Sequence, residues 1–312
     1  MTTFIVGSRA SALAKAQVRE YLAPLRERFP QVRFVHRVLL EGGDQDRRSS
    51  LADVSASSGG SAFSTNQQDA LVRGEVDVVI HSLKDLPTAN PAGLILLPPP
   101  GREDVRDALC GCTLDELASG GRVGTSAQRR AAQLLHVRPG VEMVPIRGNV
   151  PGRLAKLGSM NLDAVVLAAA GIRRLGREDE ISEYLPLDLF PPSPGQGALG
   201  VQVREDNAAV REVLETAGDV RVDREVRAER AMLAELHGGC SVPVGAYAAT
   251  GPGGVLTLHG QVTSLDGRRR AEGTVAGRAE EPEKLGLALA RELLEQGAAE
   301  ILDAIRGGLL VG

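Results

Sequence analysis

A chain of 312 residues exceeds what one hydrophobic core usually serves, so two or three domains are expected. Its 43% hydrophobic and 24% charged residues are those of a globular protein, and 3% aromatics without Trp argue against a base-stacking nucleic-acid surface. A net charge of −4 excludes global attraction to nucleic acid or anionic membrane, so any anion site is built locally, and from arginine: Lys15, Lys84, Lys156 and Lys284 are the only lysines.

Phe4–Val6 reads as a strand and is entered without a basic stretch followed by a long apolar one, so no signal peptide is expected. Ser11–Phe29 repeats apolar residues at helical spacing, and Val32–Leu40 is a second strand. A short helix includes Asp69–Arg73, Val76–Ile80 is a buried strand, and Leu94–Leu97 is another, closed by the prolines at 98–100. The alternation resumes with Arg122–Gly124, a helix from about Ser126, strand Val141–Ile146, a helix to Leu157, strand Ala164–Ala168 and a helix. Ala164–Ile172, the longest apolar run, is too short to span a bilayer. Pro191, Pro192 and Pro194 mark a second crossing, after which Val201–Arg204 reads as a strand returning to the first domain. From about residue 220 the pattern becomes one helix, a Gly-rich turn, hairpin strands and an amphipathic helix over Glu283–Ile305. The expected class is α/β with a smaller α+β domain at the end: domain 1 over 1–99 and 198–217, domain 2 over 100–197, domain 3 over 218–312.

Three strand-to-helix junctions carry the same chemistry: Gly7-Ser8-Arg9-Ala10-Ser11, Gly124-Thr125-Ser126 leading to Arg129 and Arg130, and Ile146-Arg147-Gly148-Asn149 with Arg153 beyond. Ser, Thr and Asn there serve as N-caps, which does not explain the arginines. A cation in a first turn opposes the helix macrodipole, costing roughly 0.3–1 kcal/mol. Backbone N–H groups and Arg forks together form an anion site, at the carboxyl ends of strands where open α/β sheets bind ligands. Several forks rather than one phosphate loop favour a polycarboxylate.

Lys84 and Asp85 follow the buried strand directly. They belong either to a capping box, with Ser82 as N-cap and Asp85 at N3, or to a short turn facing a cleft. Pro87 fits the helix badly, and an Asp beside a Lys suits cation stabilisation or proton relay. Cys240 sits in His237-Gly-Gly-Cys-Ser-Val-Pro243, on a tight turn that either buries a small hydrophobe or presents a thiol. Cys110 and Cys112 have no further ligands nearby, so neither a zinc site nor a disulfide framework is expected. Gly195-Gln196-Gly-Ala-Leu-Gly200 spells a dinucleotide fingerprint, but prolines precede it and a strand follows, the reverse of what that motif requires.

The segments VGSRASALAKAQ, DVVIHSLKDLPT, REDVRDAL, VGTSAQRR, IRGNVPGRLAKL, DAVVLAAAGIRRLG, PSPGQGALG and AERAMLAELHGGCSVPVGAY together resemble the porphobilinogen deaminases, or hydroxymethylbilane synthases. The resemblance implies two doubly wound domains like periplasmic binding proteins plus a small third domain bearing the cysteine. It implies a cytoplasmic, monomeric transferase of porphyrin and haem biosynthesis, with neither nucleic acid nor membrane as partner. The reaction joins four porphobilinogen molecules head to tail with release of ammonia, on a dipyrromethane attached to Cys240. Asp85 and Lys84 fall to catalysis. Cys240, Ser82, Lys84, Asp85, Thr125, Ser126, Arg129, Arg130, Arg147 and Gly148 fall to the cofactor. Arg9, Ser11, Arg147, Arg153, Arg174 and Gln196 fall to the substrate. One stretch departs from the family's usual Gly-Gly-Lys-Gly-Leu-Phe followed by a Lys-Glu-Leu-Glu helix start: here it reads Gly59-Gly-Ser-Ala-Phe-Ser-Thr-Asn-Gln-Gln68, with Phe63 kept but the lysine and both acids gone. The rival reading is a non-catalytic two-domain binding protein for a small polycarboxylate or polyanion, in which Lys84, Asp85 and Cys240 would be idle; a third is a structural or regulatory protein whose arginines only solvate helix ends.

Overall fold

The computed structural model describes residues 2–40, 64–236 and 242–309; His237, Cys240 and positions 59–63 of the atypical stretch 59–68 lie outside them. By internal packing the chain forms two units, Met1–Glu103 with Gly197–Asp223 and Asp104–Gln196 with Arg224–Gly312.

In the first unit, β1 (Thr2–Ser8) pairs in parallel with β2 (Val32–Val38) on one side and β3 (Val78–Ser82) on the other. β10 (Leu199–Arg204) runs antiparallel between β3 and β4 (Leu94–Leu97), giving the order β2-β1-β3-β10-β4. Helix α1 (Ala12–Arg28) turns Val18, Leu22 and Leu25 into the core with Phe4 and Val6 of β1. α2 (Thr65–Val72) buries Ala70 and Leu71 against Val76 and Val79, and α7 (Ala208–Leu214) adds Val210 and Leu214 to the main core.

The second unit repeats this arrangement. β6 (Arg122–Gly124) lies parallel to β7 (Glu142–Val144) and β8 (Ala164–Ala168), and β5 (Asp107–Cys110) runs antiparallel between β8 and β9 (Glu183–Tyr184). Its order is β7-β6-β8-β5-β9. Short strands end in α3 (Gln128–Val137), in α4 (Val150–Leu154) followed by α5 (Lys156–Ser159), and in α6 (Ala169–Arg174). The same unit holds a three-stranded antiparallel sheet, β11 (Val244–Thr250), β12 (Val255–Thr263) and β13 (Arg270–Arg278). It packs on α8 (Val220–Glu235), α9 (Pro282–Leu293) and α10 (Ala299–Leu309) through Met232, Leu258, Leu289 and Leu302. The class is thus α/β with two five-stranded sheets and a small α+β element at the C-terminus. Among the described residues, no helix is long and apolar enough to cross a membrane.

Three local expectations are corrected. The single helix expected over Glu283–Ile305 is two, broken by a π turn at Leu294–Ala298, where Gly297 adopts φ +95°, a conformation that disfavours side chains. The helix expected to reach Leu157 is the pair α4 and α5. The capping box at Ser82 does not form: Leu83–Asp85 is one 3-10 turn, and Ser82 makes no capping hydrogen bond.

Helices α9 and α8 approach closely at Gly286 of α9. A Cβ there would meet the Ala228 carbonyl oxygen at 2.4 Å and the Ala231 Cβ at 2.7 Å. Gly286→Ala should therefore destabilise by about 1–3 kcal/mol through overpacking, although Ala is the better helix former. A lower urea midpoint checks this; an unchanged or higher one would mean the helices separate freely.

Candidate active site

In parallel strands the carboxyl ends lie on one edge of the sheet. Because β1 and β3 are parallel neighbours, the segment Arg9–Ser11 after β1 and the turn Leu83–Asp85 after β3 emerge side by side. They enclose a cavity of about 70 Å³ lined by Arg9, Ser11, Gln17, His81, Ser82 and Asp85, with Leu13, Ala14 and Ile80 as apolar wall. Ser11 caps α1, its Oγ accepting from the Ala14 N–H at 3.1 Å. Gln17, one and a half turns along α1 and 3% exposed, donates from Nε2 to Ser82 Oγ at 2.9 Å, so the helix and the strand end are joined beneath the cavity. Lys84 lies half-buried on the same turn. His81 is buried, and burial together with the Arg9 charge pushes its pKa down to about 3, so the imidazole is neutral at any working pH.

The second unit gathers most of the other candidates by the same geometry. β6, β7 and β8 end on a common edge, followed by Thr125–Arg130, by Arg147–Arg153 and by α6 with Arg174 at its last position. Ser126 Oγ donates to the Ile146 carbonyl at 2.7 Å, and Thr125 N–H to that of Val144 at 3.0 Å, tying the first two loops together. Gly148 has φ +120°, which allows the chain to turn between Arg147 and the N-cap Asn149, whose side chain accepts from the Gly152 N–H at 2.9 Å. Lys156 Nζ donates to the Arg147 carbonyl at 2.9 Å. Arg147, Arg153 and Arg174 are half-buried. Arg174 closes its helix, where a cation is favoured by the dipole without help from an anion.

Arg129 and Arg130 differ from these. Each is 6% exposed, and both are drawn onto Asp107, which is fully buried at the start of β5. Arg129 Nη1 lies 2.7 Å from Asp107 Oδ2, and Arg130 Nη2 lies 2.8 Å from Oδ1. Gln196 Nε2 donates to the same Oδ1 at 2.9 Å and to the Val105 carbonyl at 2.8 Å. The cations that the sequence alone assigned to an external anion thus already have an internal one. Burial by itself would raise the Asp107 carboxyl; the charges of Arg129 and Arg130 and the bonds from Arg129 and Gln196 outweigh it and hold the pKa well below the carboxylate range.

Thus Arg9, Ser11, Ser82 and Asp85 meet in one cavity of the first unit, with Lys84 on the adjoining turn. Thr125, Ser126, Arg129, Arg130, Arg147 and Gly148 share one strand edge of the second, with Gln196 tied to Arg130 and Asp107. Cys240 is outside the described residues. Sequence reasoning missed Gln17, His81 and Asp107. Each left a trace: Gln17 interrupts the apolar face of α1, His81 an apolar strand, and Asp107 opens one.

Because the Asp107 pKa is depressed in the fold, its contribution to stability is complete above the unfolded value of about 4 and is lost as the pH falls below it. Asp107→Asn should cost about 3–5 kcal/mol at pH 7 by leaving two buried guanidinium groups uncompensated, with the deficit shrinking from pH 5 towards pH 2. Urea unfolding of both proteins across that range tests it; a deficit independent of pH would contradict the ion cluster.

A protein-family model described as the dipyrromethane cofactor binding domain of porphobilinogen deaminase matches residues 4–212, and one for the C-terminal domain of that enzyme matches residues 224–295. The chain is 44% identical over 307 residues to the porphobilinogen deaminase of Geotalea uraniireducens, covering 98% of this chain and 95% of that one. It is 45% identical over 302 residues to that of Geobacter sulfurreducens, covering 96% and 94%, and 42% identical over 305 residues to that of Carboxydothermus hydrogenoformans, covering 97% of each. Among solved structures, a periplasmic binding protein of Salmonella typhimurium shows 16% identity and a TM-score of 0.38, covering 70% of this chain and 92% of that one. The chain belongs to the porphobilinogen deaminase family, transferases of tetrapyrrole biosynthesis that work on a dipyrromethane cofactor.

Proposed function

We propose that the two strand edges divide the family's reaction between them, the first unit handling the charge that develops and the second holding carboxylates. In each of four additions the aminomethyl C–N bond of porphobilinogen breaks and ammonia leaves with the electron pair. A C–C bond forms to the free α-carbon of the terminal pyrrole, which gives up its proton. The observation that carries the reading is the cavity shared by Arg9, Ser11, Ser82 and Asp85. Among the described residues Asp85 is the one acid lining it, and it faces the positive charge left on the pyrrole as ammonia departs. Neutral His81 beside it adds no competing cation. Arg9 and Ser11 hold the acetate and propionate of the incoming ring, and Lys84 and Ser82 face the cofactor.

Dipyrromethane, when bound, supplies the nucleophilic α-carbon and a fixed tether. It carries four carboxylates, and an edge rich in arginine suits them. Thr125, Ser126, Arg147 and Gly148 present donors to it, with Arg129 and Arg130 as a buried positive frame; Arg147, Arg153, Arg174 and Gln196 serve the substrate-derived rings. Cys240 is the proposed attachment point. Of the two described cysteines, Cys110 is buried with its thiol pushed up to about 12 by burial, and that of Cys112 is raised for the same reason, so neither is a ready nucleophile. The reading extends to a cytoplasmic monomer of three domains, one for each sheet, with porphobilinogen as its small-molecule partner and neither nucleic acid nor membrane.

Intact mass of the purified protein should show an increment of two pyrrole units that maps to Cys240 and grows by single units with porphobilinogen. Cys240→Ser should abolish it, and an increment persisting in that variant would move the attachment elsewhere. Asp85→Ala should fold and keep any primer it carries, yet lose about 10²–10⁴-fold in turnover. Wild-type release of ammonia by this variant would remove Asp85 from the chemistry.

A further inference from the structure

The ion cluster around Asp107 does not end at the strand edge. Arg129 Nη1 also donates to Gln133 Oε1 at 2.9 Å and to the Pro191 carbonyl at 3.0 Å. Gln133 Nε2 donates to that carbonyl at 3.0 Å and to Gln261 Oε1, on β12, at 3.0 Å. Thr263 Oγ1 donates to the same Gln261 oxygen at 3.2 Å, and the Thr263 N–H to the Pro243 carbonyl at 3.2 Å. The three side chains are at most 2% exposed. A continuous buried polar path therefore runs from Asp107 through Arg129, Gln133 and Gln261 to Pro243, three residues after Cys240 in the chain.

The backbone around this path is fitted to it. Gly245 stands opposite Gln261 in the β11–β12 ladder. A Cβ on Gly245 would meet the Pro191 carbonyl oxygen at 2.4 Å and Gln133 Nε2 at 3.0 Å, so the absence of a side chain lets the strand reach the amide pair. One residue on, the Ala246 N–H donates to the Pro192 carbonyl at 2.8 Å. Apolar packing would join two buried surfaces without fixing their register, since it is non-directional. Paired amides in a low-dielectric interior do fix it, because a slip leaves each with an unmade hydrogen bond.

We propose that Gln133 and Gln261 are positioning residues: the amide pair sets the register between the sheet that follows Cys240 and the Arg129–Asp107 frame, so that a primer on Cys240 meets its arginines correctly placed. The proposal rests on the reading that Cys240 carries the primer. It goes beyond that reading by assigning a task to two residues that touch neither primer nor substrate.

The test uses the full chain, with porphobilinogen as the probe. The double variant Gln133→Met/Gln261→Met removes both partners together and leaves no orphaned amide. Thr263→Val is the milder variant, deleting one donor to Gln261, and is read in the same way should the double variant not fold. Both are prepared without primer, their urea midpoints are measured, and porphobilinogen is then added. The mass increment is followed with time, and kcat and KM are measured on the loaded fraction. The expected result is a folded protein that gains the two-pyrrole increment at least tenfold more slowly and elongates with a lowered kcat. KM should stay within twofold, because Arg9 and Asp85 are untouched; Thr263→Val should show a smaller effect in the same direction. Wild-type loading and kcat in a folded variant, with only the urea midpoint lowered, would reduce the pair to structural glue and overturn the proposal. A wild-type chain that gains no pyrrole on Cys240 would overturn the attachment reading and this proposal with it, whereas a loaded wild type beside a normally loading variant would overturn the amide pair alone.

Discussion

Two arginines cannot sit buried in the first turn of a helix, against its dipole, unless a negative charge is placed beside them, and Asp107 is that charge. It is placed by topology. β5 runs antiparallel to β8 with Asp107 opposite Ala168, so the beginning of one strand coincides with the end of the other. The carboxylate therefore arrives at the edge where three parallel strands finish and where the helix bearing Arg129 and Arg130 starts. Gln196, which closes the second unit's first segment, is bonded to the same carboxylate. One buried acid thus fixes a strand, a helix start and a segment end relative to one another.

Burial separates the arginines into two groups. Arg129 and Arg130 are committed inside, with several internal acceptors each, and a guanidinium held that way gives a fixed positive field at low cost of reorganisation. Arg147, Arg153 and Arg174 keep partial contact with solvent. A half-solvated cation exchanges water for a carboxylate and back with little net change in free energy. If these three hold the carboxylates of the growing product, as proposed, that property lets the product leave, since binding every carboxylate with buried forks would trap the chain.

The sequence made the strand-to-helix junctions legible, because both the capping residues and the misplaced cations are local features. Ser11 and Asn149 do cap their helices, and Val201–Arg204 does return to the first sheet. The choice between a capping box and a short turn at Ser82 was settled by Gln17, which engages the Ser82 hydroxyl from 65 residues away. The same limit hid the counter-ion of Arg129 and Arg130. Asp107 precedes them by more than twenty residues and arrives through a strand pairing, so a local reading could only register that the cations lacked a partner. The π turn at Gly297 was missed for the opposite reason: an amphipathic pattern continues through it, and one glycine marks the break. The amide pair Gln133–Gln261 spans 128 residues and has no local signature at all.

The two five-stranded sheets share one plan, yet no internal repeat is readable in the sequence. In each, the residue after the third parallel strand donates its N–H to the residue before the antiparallel one: Leu83 to Ala198 in the first unit, Ala169 to Arg106 in the second. Matching the ladders on this contact equates Ser82 with Ala168 and Leu199 with Asp107. By the same register Lys84 and Asp85 correspond to Ala170 and Gly171. The backbone plan is therefore common while the chemistry is not. One edge carries Asp85 at its turn and no ion pair at the equivalent ladder position; the other carries a buried acid that neutralises a frame of arginines and has no carboxylate at the turn. In the proposed division of the reaction, charge handling and carboxylate holding make opposite electrostatic demands, and a duplicated plan would let each edge satisfy one of them.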